Sequence, residues 1–162
     1  RFVTAYREST MRFAQTRDIL QQQVAPYHRT VSQHYQEFSA QKISPRNQLM
    51  LDYLVDHELR LALAIHDFMA AAHPGALDYW FKRIEIPFPA ATADVLTDAC
   101  RSDLDALVGA AICYKTALIA FYGHLLQNCD DAKAAHLFQT LKDQEEKGMK
   151  RFIRHAQGLA DL

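Results

Sequence analysis

Residues 54–63 read LVDHELRLAL, a stretch that has the pattern of a buried helix but carries a carboxylate on its apolar side. Leu54, Leu61 and Ile65 recur at the spacing of one face of an α-helix, and Glu58 falls on the same stripe. The stretch LKDQEEKGM (141–149) repeats the arrangement with Glu145. Because a buried carboxylate is costly unless it is paired, both glutamates need either a partner in the core or access to solvent.

Apolar stripes of the same kind run through most of the chain, and glycine and proline number only five each, which favours long helices. Pro26 interrupts the first stripe, so either the first helix kinks there or a separate N-terminal helix, about 8–24, ends there. Ser44 is the expected N-cap of the second helix, with Pro45 at its first position. Thr92 or Ser102 is expected to cap the third helix, which could begin as early as residue 93. The helices are predicted near 10–40, 45–72, 101–128 and 131–158, with residues 1–8 as a loose arm.

Residues 73–101 differ from the helical stretches because they mix aromatic residues, prolines and a short alternating run. They are interpreted as a long crossover with one or two short helical pieces. Two short hairpin connections and one crossover predict an all-α, antiparallel four-helix bundle, a single domain over 1–162. Exposed apolar side chains of the crossover are expected to form a homodimer interface. These are Tyr79, Trp80, Phe81, Ile84, Ile86 and Phe88.

The composition excludes several classes of protein. The formal net charge is −1 and no Lys/Arg cluster stands out, which argues against a nucleic-acid partner. No apolar run is expected to cross a membrane, and no secretory signal is visible. Cys100, Cys113 and Cys129 are too widely spaced for a metal or redox pair, so they are expected to be small buried hydrophobes in a cytoplasmic protein. No nucleophile constellation is present, which disfavours an enzyme.

The second half of the chain echoes the first at an offset of 87 residues. The segment YHRTVSQHY (27–35) aligns with YKTALIAFY (114–122), and LVDHE (54–58) aligns with LKDQE (141–145). Glu58 and Glu145 then occupy equivalent positions that face each other across a pseudo-twofold axis. Chance similarity between two amphipathic hairpins remains the alternative explanation of the repeat.

Two helical hairpins with inward carboxylates, together with LIAFYGHL (118–125) and LKDQEEKGMKRF (141–152), resemble rubrerythrin-type members of the ferritin-like superfamily. The resemblance covers about 27–72 and 103–156. It implies a di-iron site in which each half supplies one Glu and one Glu-x-x-His.

This chain departs from the ligand set that the resemblance implies. The two Glu positions hold His28 and Lys115, and the two histidine positions hold Leu61 and Gly148. A register shifted to Glu146 places Met149 at the histidine position, which is no better. A conventional di-iron site is therefore predicted to be lost, since an ammonium repels a dication.

Three interpretations of the carboxylates stay open. Lys115 could neutralise Glu58, Glu145 or both, as a relic of the metal site; both carboxylates could instead reach solvent; or the site could be rebuilt around a metal or another ligand. In the last case His28, Glu58 and Glu145 could hold zinc, iron or manganese. His57 lies about 100° round the helix from Glu58, and is expected at the surface or hydrogen-bonded in the core. The tyrosines at helix spacing are expected to be core aromatics with hydrogen-bonded hydroxyls.

Three functions follow in order of preference. The first is a non-enzymatic ferritin-like protein without its di-iron site, with no cofactor, that acts in binding or assembly. The second is a divergent metal-dependent oxidoreductase that uses His28, Glu58 and Glu145. The third is a small-molecule binder that uses the vacated cavity flanked by Leu61 and Gly148.

Overall fold

The computed structural model describes residues 10–162, with side chains for all of these except 10–13 and 83–86. The described chain is all-α apart from one two-stranded ribbon, as the sequence predicts. The loose arm expected at residues 1–8 lies outside the described residues. The helices are α1 (Thr16–Ile19), α2 (Ala25–Ser39), α3 (Pro45–Ala71), α4 (Pro74–Leu77), α5 (Leu104–Gln127) and α6 (Ala132–Ala160).

The first predicted helix begins later than expected because its first residues form a strand. Strand β1 (Thr10–Gln15) pairs antiparallel with β2 (Trp80–Pro87), which is part of the crossover. The ribbon ends where the Thr16 amide donates to the Tyr79 carbonyl at 3.0 Å, and α1 begins there. Pairing with a strand that is distant in sequence therefore overrides the helical pattern at residues 10–15.

Pro26 does not end the first helix, so the alternative of a separate N-terminal helix over about 8–24 is wrong. A π-helical turn at Leu20–Val24 joins α1 to α2, and the backbone stays helical on both sides of it. Proline in a helix clashes with the carbonyl four residues earlier, which here belongs to Gln22 in the π turn. The wider turn provides space for the ring where a regular α-helix would not.

The predicted N-cap is confirmed for α3 and is wrong for α5. The Ser44 side chain accepts from the Asn47 amide, so the predicted cap of α3 is confirmed. Helix α5 is capped by Asp103, which accepts from the Asp105 and Ala106 amides, rather than by Thr92 or Ser102. The difference arises because residues 93–101 form two short 3-10 turns, Ala93–Val95 and Asp98–Arg101, instead of the first turns of the helix.

Helix α2 packs on α3, α5 packs on α6, and α3 also contacts both α5 and α6. The crossover contributes to the same hydrophobic cluster. Phe81 is buried against Phe138, so its expected exposure is wrong, and half-buried Phe88 contacts Tyr27 and Phe121. Trp80 remains 49% exposed, while the side chains of Ile84 and Ile86 lie outside the described residues.

The three cysteines differ in environment, so the expectation of burial holds for only one of them. Cys100 is buried, Cys129 is half-buried and Cys113 is exposed. Cys113 is exposed because it lies on α5 beside Tyr114 and Lys115, whose side chains take the inward face.

Helix α5 is long and apolar enough to meet the length and hydropathy of a membrane-spanning helix, contrary to the sequence-based expectation. The core helix of a globular protein passes the same test, so the finding is weak evidence for a membrane span. Nine inward positions of α5, including Lys115, are buried within the chain.

Candidate functional site

The structure brings His28, Glu58, Lys115 and Glu145 together at one point in the core. Each comes from a different long helix, namely α2, α3, α5 and α6 in that order. The exposed fractions of these residues are 0%, 2%, 3% and 3%. Because both carboxylates are buried, the interpretation that they reach solvent is wrong.

The four side chains form a closed ring of alternating charge, which we call the ion-pair ring. His28 Nδ1 lies 2.6 Å from Glu58 Oε2, and Glu58 Oε1 lies 2.8 Å from Lys115 Nζ. Lys115 Nζ donates to Glu145 Oε2 at 2.8 Å. Glu145 Oε1 closes the ring at 2.9 Å from His28 Nε2, an ion pair that lacks the alignment of a hydrogen bond. Every carboxylate oxygen therefore has a nitrogen partner.

The ring is electrically neutral when His28 is protonated. Burial alone would lower the pKa of His28 and of Lys115, but Glu145 and Glu58 more than offset that effect, so both pKa values are raised. Burial would likewise raise the pKa of Glu58 and Glu145, but Lys115 and His28 lower both values below the ordinary range. The stable state is thus two carboxylates, one ammonium and one imidazolium.

The sequence repeat has a geometric counterpart in the ring. His28 pairs with Glu58 and Lys115 pairs with Glu145, each across 30 residues of chain. Tyr27 and Tyr114, which precede the two cations at equivalent positions, also touch: the Tyr27 hydroxyl donates to the Tyr114 carbonyl at 2.6 Å. The two halves therefore meet at corresponding residues.

Buried tyrosines lie near the ring. The Tyr27 ring lies edge-on to His28, with 6.1 Å between the ring centres. Burial is the largest of the causes that raise the pKa of Tyr27, Tyr35 and Tyr122, so these phenols are neutral. The expected hydrogen bonds exist for Tyr27 and Tyr114, whereas the buried Tyr122 hydroxyl has no hydrogen-bond partner among the described residues.

His57 fills the space that Gly148 leaves open. A Cβ at Gly148 would meet the His57 Cε1 atom at 2.9 Å, so only glycine fits beneath the ring without movement. His57 is half-buried, so it lies partly at the surface, and its buried Nε2 has no hydrogen-bond partner among the described residues. Burial, with a further contribution from Lys115, lowers the pKa of His57 to about 4, which keeps it neutral at pH 7.

The residues present do not fit the di-iron group that the resemblance implies. A metal ion needs ligand lone pairs that converge on one point. Here each carboxylate oxygen of Glu58 and Glu145 lies within 2.9 Å of a nitrogen of His28 or Lys115, and Lys115 Nζ lies between the two carboxylates. Among the described side chains, no group of three or more His, Cys, Asp or Glu residues has the geometry to hold a metal ion.

The cationic role of His28 was missed by sequence reasoning, which treated it only as a possible metal ligand. The signal was present, because His28 and Lys115 align in the repeat exactly as Glu58 and Glu145 do. Two equivalent carboxylates therefore predict two equivalent cations. No comparable signal pointed to the contact between His57 and Gly148, which depends on how α3 and α6 pack.

Comparisons with protein-family models, with curated proteins and with solved structures found no match to this chain.

Replacing Lys115 with Met tests the ring. The substitution keeps most of the side-chain volume but leaves two buried carboxylates with one cation. Removal of one partner from a buried pair typically costs about 3–5 kcal/mol. We expect the free energy of unfolding, measured by urea denaturation, to fall by that amount.

The matched control is Lys147→Met on the exposed face of α6, for which we expect a change below about 0.5 kcal/mol. Adding Glu58→Gln and Glu145→Gln to Lys115→Met should restore much of the stability, because no carboxylate is then left unpaired and burial, no longer opposed by the two carboxylates, lowers the pKa of His28 so that it becomes neutral. Equal effects of Lys115→Met and Lys147→Met would contradict the ring.

The pH dependence of stability tests His28. Because its folded pKa is raised above 6.5, its stabilisation is complete below about pH 6.5 and is lost as the pH rises through the folded value. We expect the stability advantage of the wild type over His28→Gln to shrink from about pH 6.5 to about pH 8.5. The other groups that titrate in this window are the same in both proteins, so their effect cancels in the difference. Unfolding free energies that stay parallel for the two proteins across this window would show that His28 is neutral in the fold.

Proposed function

We propose that this protein is a ferritin-like four-helix bundle whose metal-ligand positions hold an ion-pair ring, and that it acts in binding or assembly rather than in metal redox chemistry. The observation that carries the proposal is the position of Lys115 Nζ, 2.8 Å from Glu58 and 2.8 Å from Glu145. An ammonium there supplies the positive charge that a metal would otherwise supply, and it has no redox or Lewis-acid chemistry.

The bundle arrangement is supported by the contacts of the ring residues. Each of the four long helices contributes one member of the ring, and short links at 40–44 and 128–131 join α2 to α3 and α5 to α6. Helices joined by such short links and packed on each other form antiparallel hairpins. The long link between α3 and α5 matches the crossover of a ferritin-like plan.

The proposal includes a homodimer in the cytoplasm. Trp80, 49% exposed on β2, is the described crossover side chain that supports such an interface, and the described cysteines are all free thiols. The proposed dimer predicts twice the chain mass in solution. A monomer mass at micromolar concentration, measured by sedimentation equilibrium, would contradict it.

A small-molecule binder is the second candidate, and one cavity favours it. A cleft of about 320 Å³ between α3 and α6 is lined by both Leu61 and Gly148, the two residues at the former histidine positions. His57 and Tyr53 form part of its wall, and none of the four ring residues lines it. Its size is at the lower end of the range for small-ligand pockets.

The alternative of a metal-dependent oxidoreductase requires His28, Glu58 and Glu145 to release their present partners. Metal analysis of protein purified without chelator tests this directly. The proposal predicts less than one tenth of an equivalent of iron, manganese or zinc per chain, whereas one or two equivalents would favour the oxidoreductase.

The substitution Lys115→Glu tests the proposal from the opposite direction. The glutamate side chain is one bond shorter than that of lysine, so it leaves room for an ion where Nζ now lies. The site would then hold three carboxylates together with His28. We expect this variant to be strongly destabilised without metal, because net negative charge is then buried. We expect Mn²⁺, Zn²⁺ or Fe²⁺ to raise its melting temperature by several degrees, since binding to the folded state alone stabilises it.

Lys115→Met, which adds no ligand, is the control and should gain nothing from metal. If both variants or neither responded to metal in thermal denaturation, the ring would not correspond to a former metal site.

A further inference from the structure

A cavity of about 490 Å³ lies where the end of α3, α4 and the first turns of α6 meet. We call it the α4 pocket and define it by Phe68, Ala72, Ala76, Lys133 and Leu137. Its volume is within the usual range for small-ligand sites. It is separate from the cleft at His57, with which it shares no lining residue.

The wall of the α4 pocket is largely apolar. Phe68, Ala72, Ala76 and Leu137 supply most of it, and two of these, Ala76 and Leu137, belong to the hydrophobic core. Several lining positions are alanines, whose short side chains leave the space open. An apolar wall of this kind favours a hydrocarbon group.

The rim of the pocket carries positive or donor groups and no acidic residue. Lys133, His73 and His136 line it, and no aspartate or glutamate does. The exposed Lys133 makes no ion pair within the described residues. Its ammonium is therefore available to a ligand.

A hydrogen bond from the Gly75 backbone determines which nitrogen of His73 can act as a donor. The Gly75 amide donates to His73 Nδ1 at 2.9 Å. A neutral imidazole that accepts at Nδ1 carries its proton on Nε2. His73 thus presents an N–H group on the same rim as the Lys133 ammonium.

The two carboxylates that precede Lys133 most closely in sequence are engaged elsewhere. Asp131 caps α6 by accepting from the Ala134 amide at 2.9 Å, and Asp130 accepts from the Tyr79 hydroxyl at 2.6 Å. Neither residue lines the pocket. The charge that faces a ligand at the rim is therefore positive.

From this combination we infer that the α4 pocket binds an amphipathic organic anion, an alkyl carboxylate whose chain lies against the apolar wall and whose carboxylate pairs with Lys133. Charge complementarity distinguishes this ligand class from a neutral or cationic one with the same chain. The inference goes beyond the proposed function and does not depend on the ion-pair ring.

Titration calorimetry on the full chain tests the inference with octanoate as the probe, and with octanol, octylammonium and acetate as comparisons. We expect saturable binding of one octanoate per chain, at least tenfold tighter than octanol or octylammonium, and no measurable binding of acetate. Absence of saturation with octanoate, or equal binding of octylammonium, would overturn the inference.

Two variants locate the binding site. Lys133→Met should weaken octanoate at least tenfold, to the level of octanol, and should leave octanol binding unchanged. Ala71→Leu, at an exposed lining position, should weaken octanoate and octanol together by filling the pocket. Lys147→Met, an exposed lysine of α6 outside the pocket, is the matched control and should bind octanoate as the wild type does.

The same measurements separate a free carboxylate from an anionic membrane surface. Flotation with phosphatidylserine vesicles should leave the protein unbound. Vesicle binding without octanoate binding, or octanoate binding that Lys133→Met does not weaken, would show that the rim charge serves another partner and would overturn the inference.

Discussion

Charge balance at the centre of the core is the constraint on which the arrangement of the long helices depends. Two buried carboxylates need two cations within contact distance, and the ion-pair ring supplies them from α2 and α5. Such a ring is weak evidence for stability, because removing four charged groups from water offsets much of their attraction. Its stronger effect is on the register of the four long helices relative to one another. A shift of any one helix by a turn would leave one charge without its partner, which makes that packing costly.

The two cations of the ring differ in shape, and each contacts the two carboxylates in a different way. Imidazole is flat and has nitrogens at two sides, so His28 contacts Glu58 through Nδ1 and Glu145 through Nε2. Lysine carries its donors on one atom at the end of a flexible chain, so Lys115 bridges both carboxylates from a single point. Each glutamate offers one oxygen to each cation. Four side chains with this division of contacts close a ring, leaving no carboxylate oxygen for a metal.

The helical pattern made the all-α class and three of the four long helices predictable, since their apolar stripes are uninterrupted and Ser44 gives a clear start to α3. Residues 10–15 were not predictable as a strand, because their partner β2 is remote in sequence. Pro26 indicated a break, and only the π turn next to it shows how the helix continues. Buried Glu58 and Glu145 indicated paired charges from spacing alone, and Lys115 was the cation expected beside them. His28 could have been predicted as the second cation, because the repeat places it at the position equivalent to Lys115.

The two cations of the ring also respond differently to pH, because one is a lysine and the other is a histidine. Lys115 keeps its proton throughout the physiological range, because its raised pKa starts from 10.5. His28 starts from 6.5 and is held protonated by the two carboxylates. Loss of the His28 proton would leave a net charge of −1 shared between Glu58 and Glu145, in a site that water does not reach. The carboxylates therefore hold the proton on His28, and the proton in turn holds α2 against α3 and α6. A lysine in both halves would remove this dependence on pH, because its ordinary pKa lies far above the physiological range.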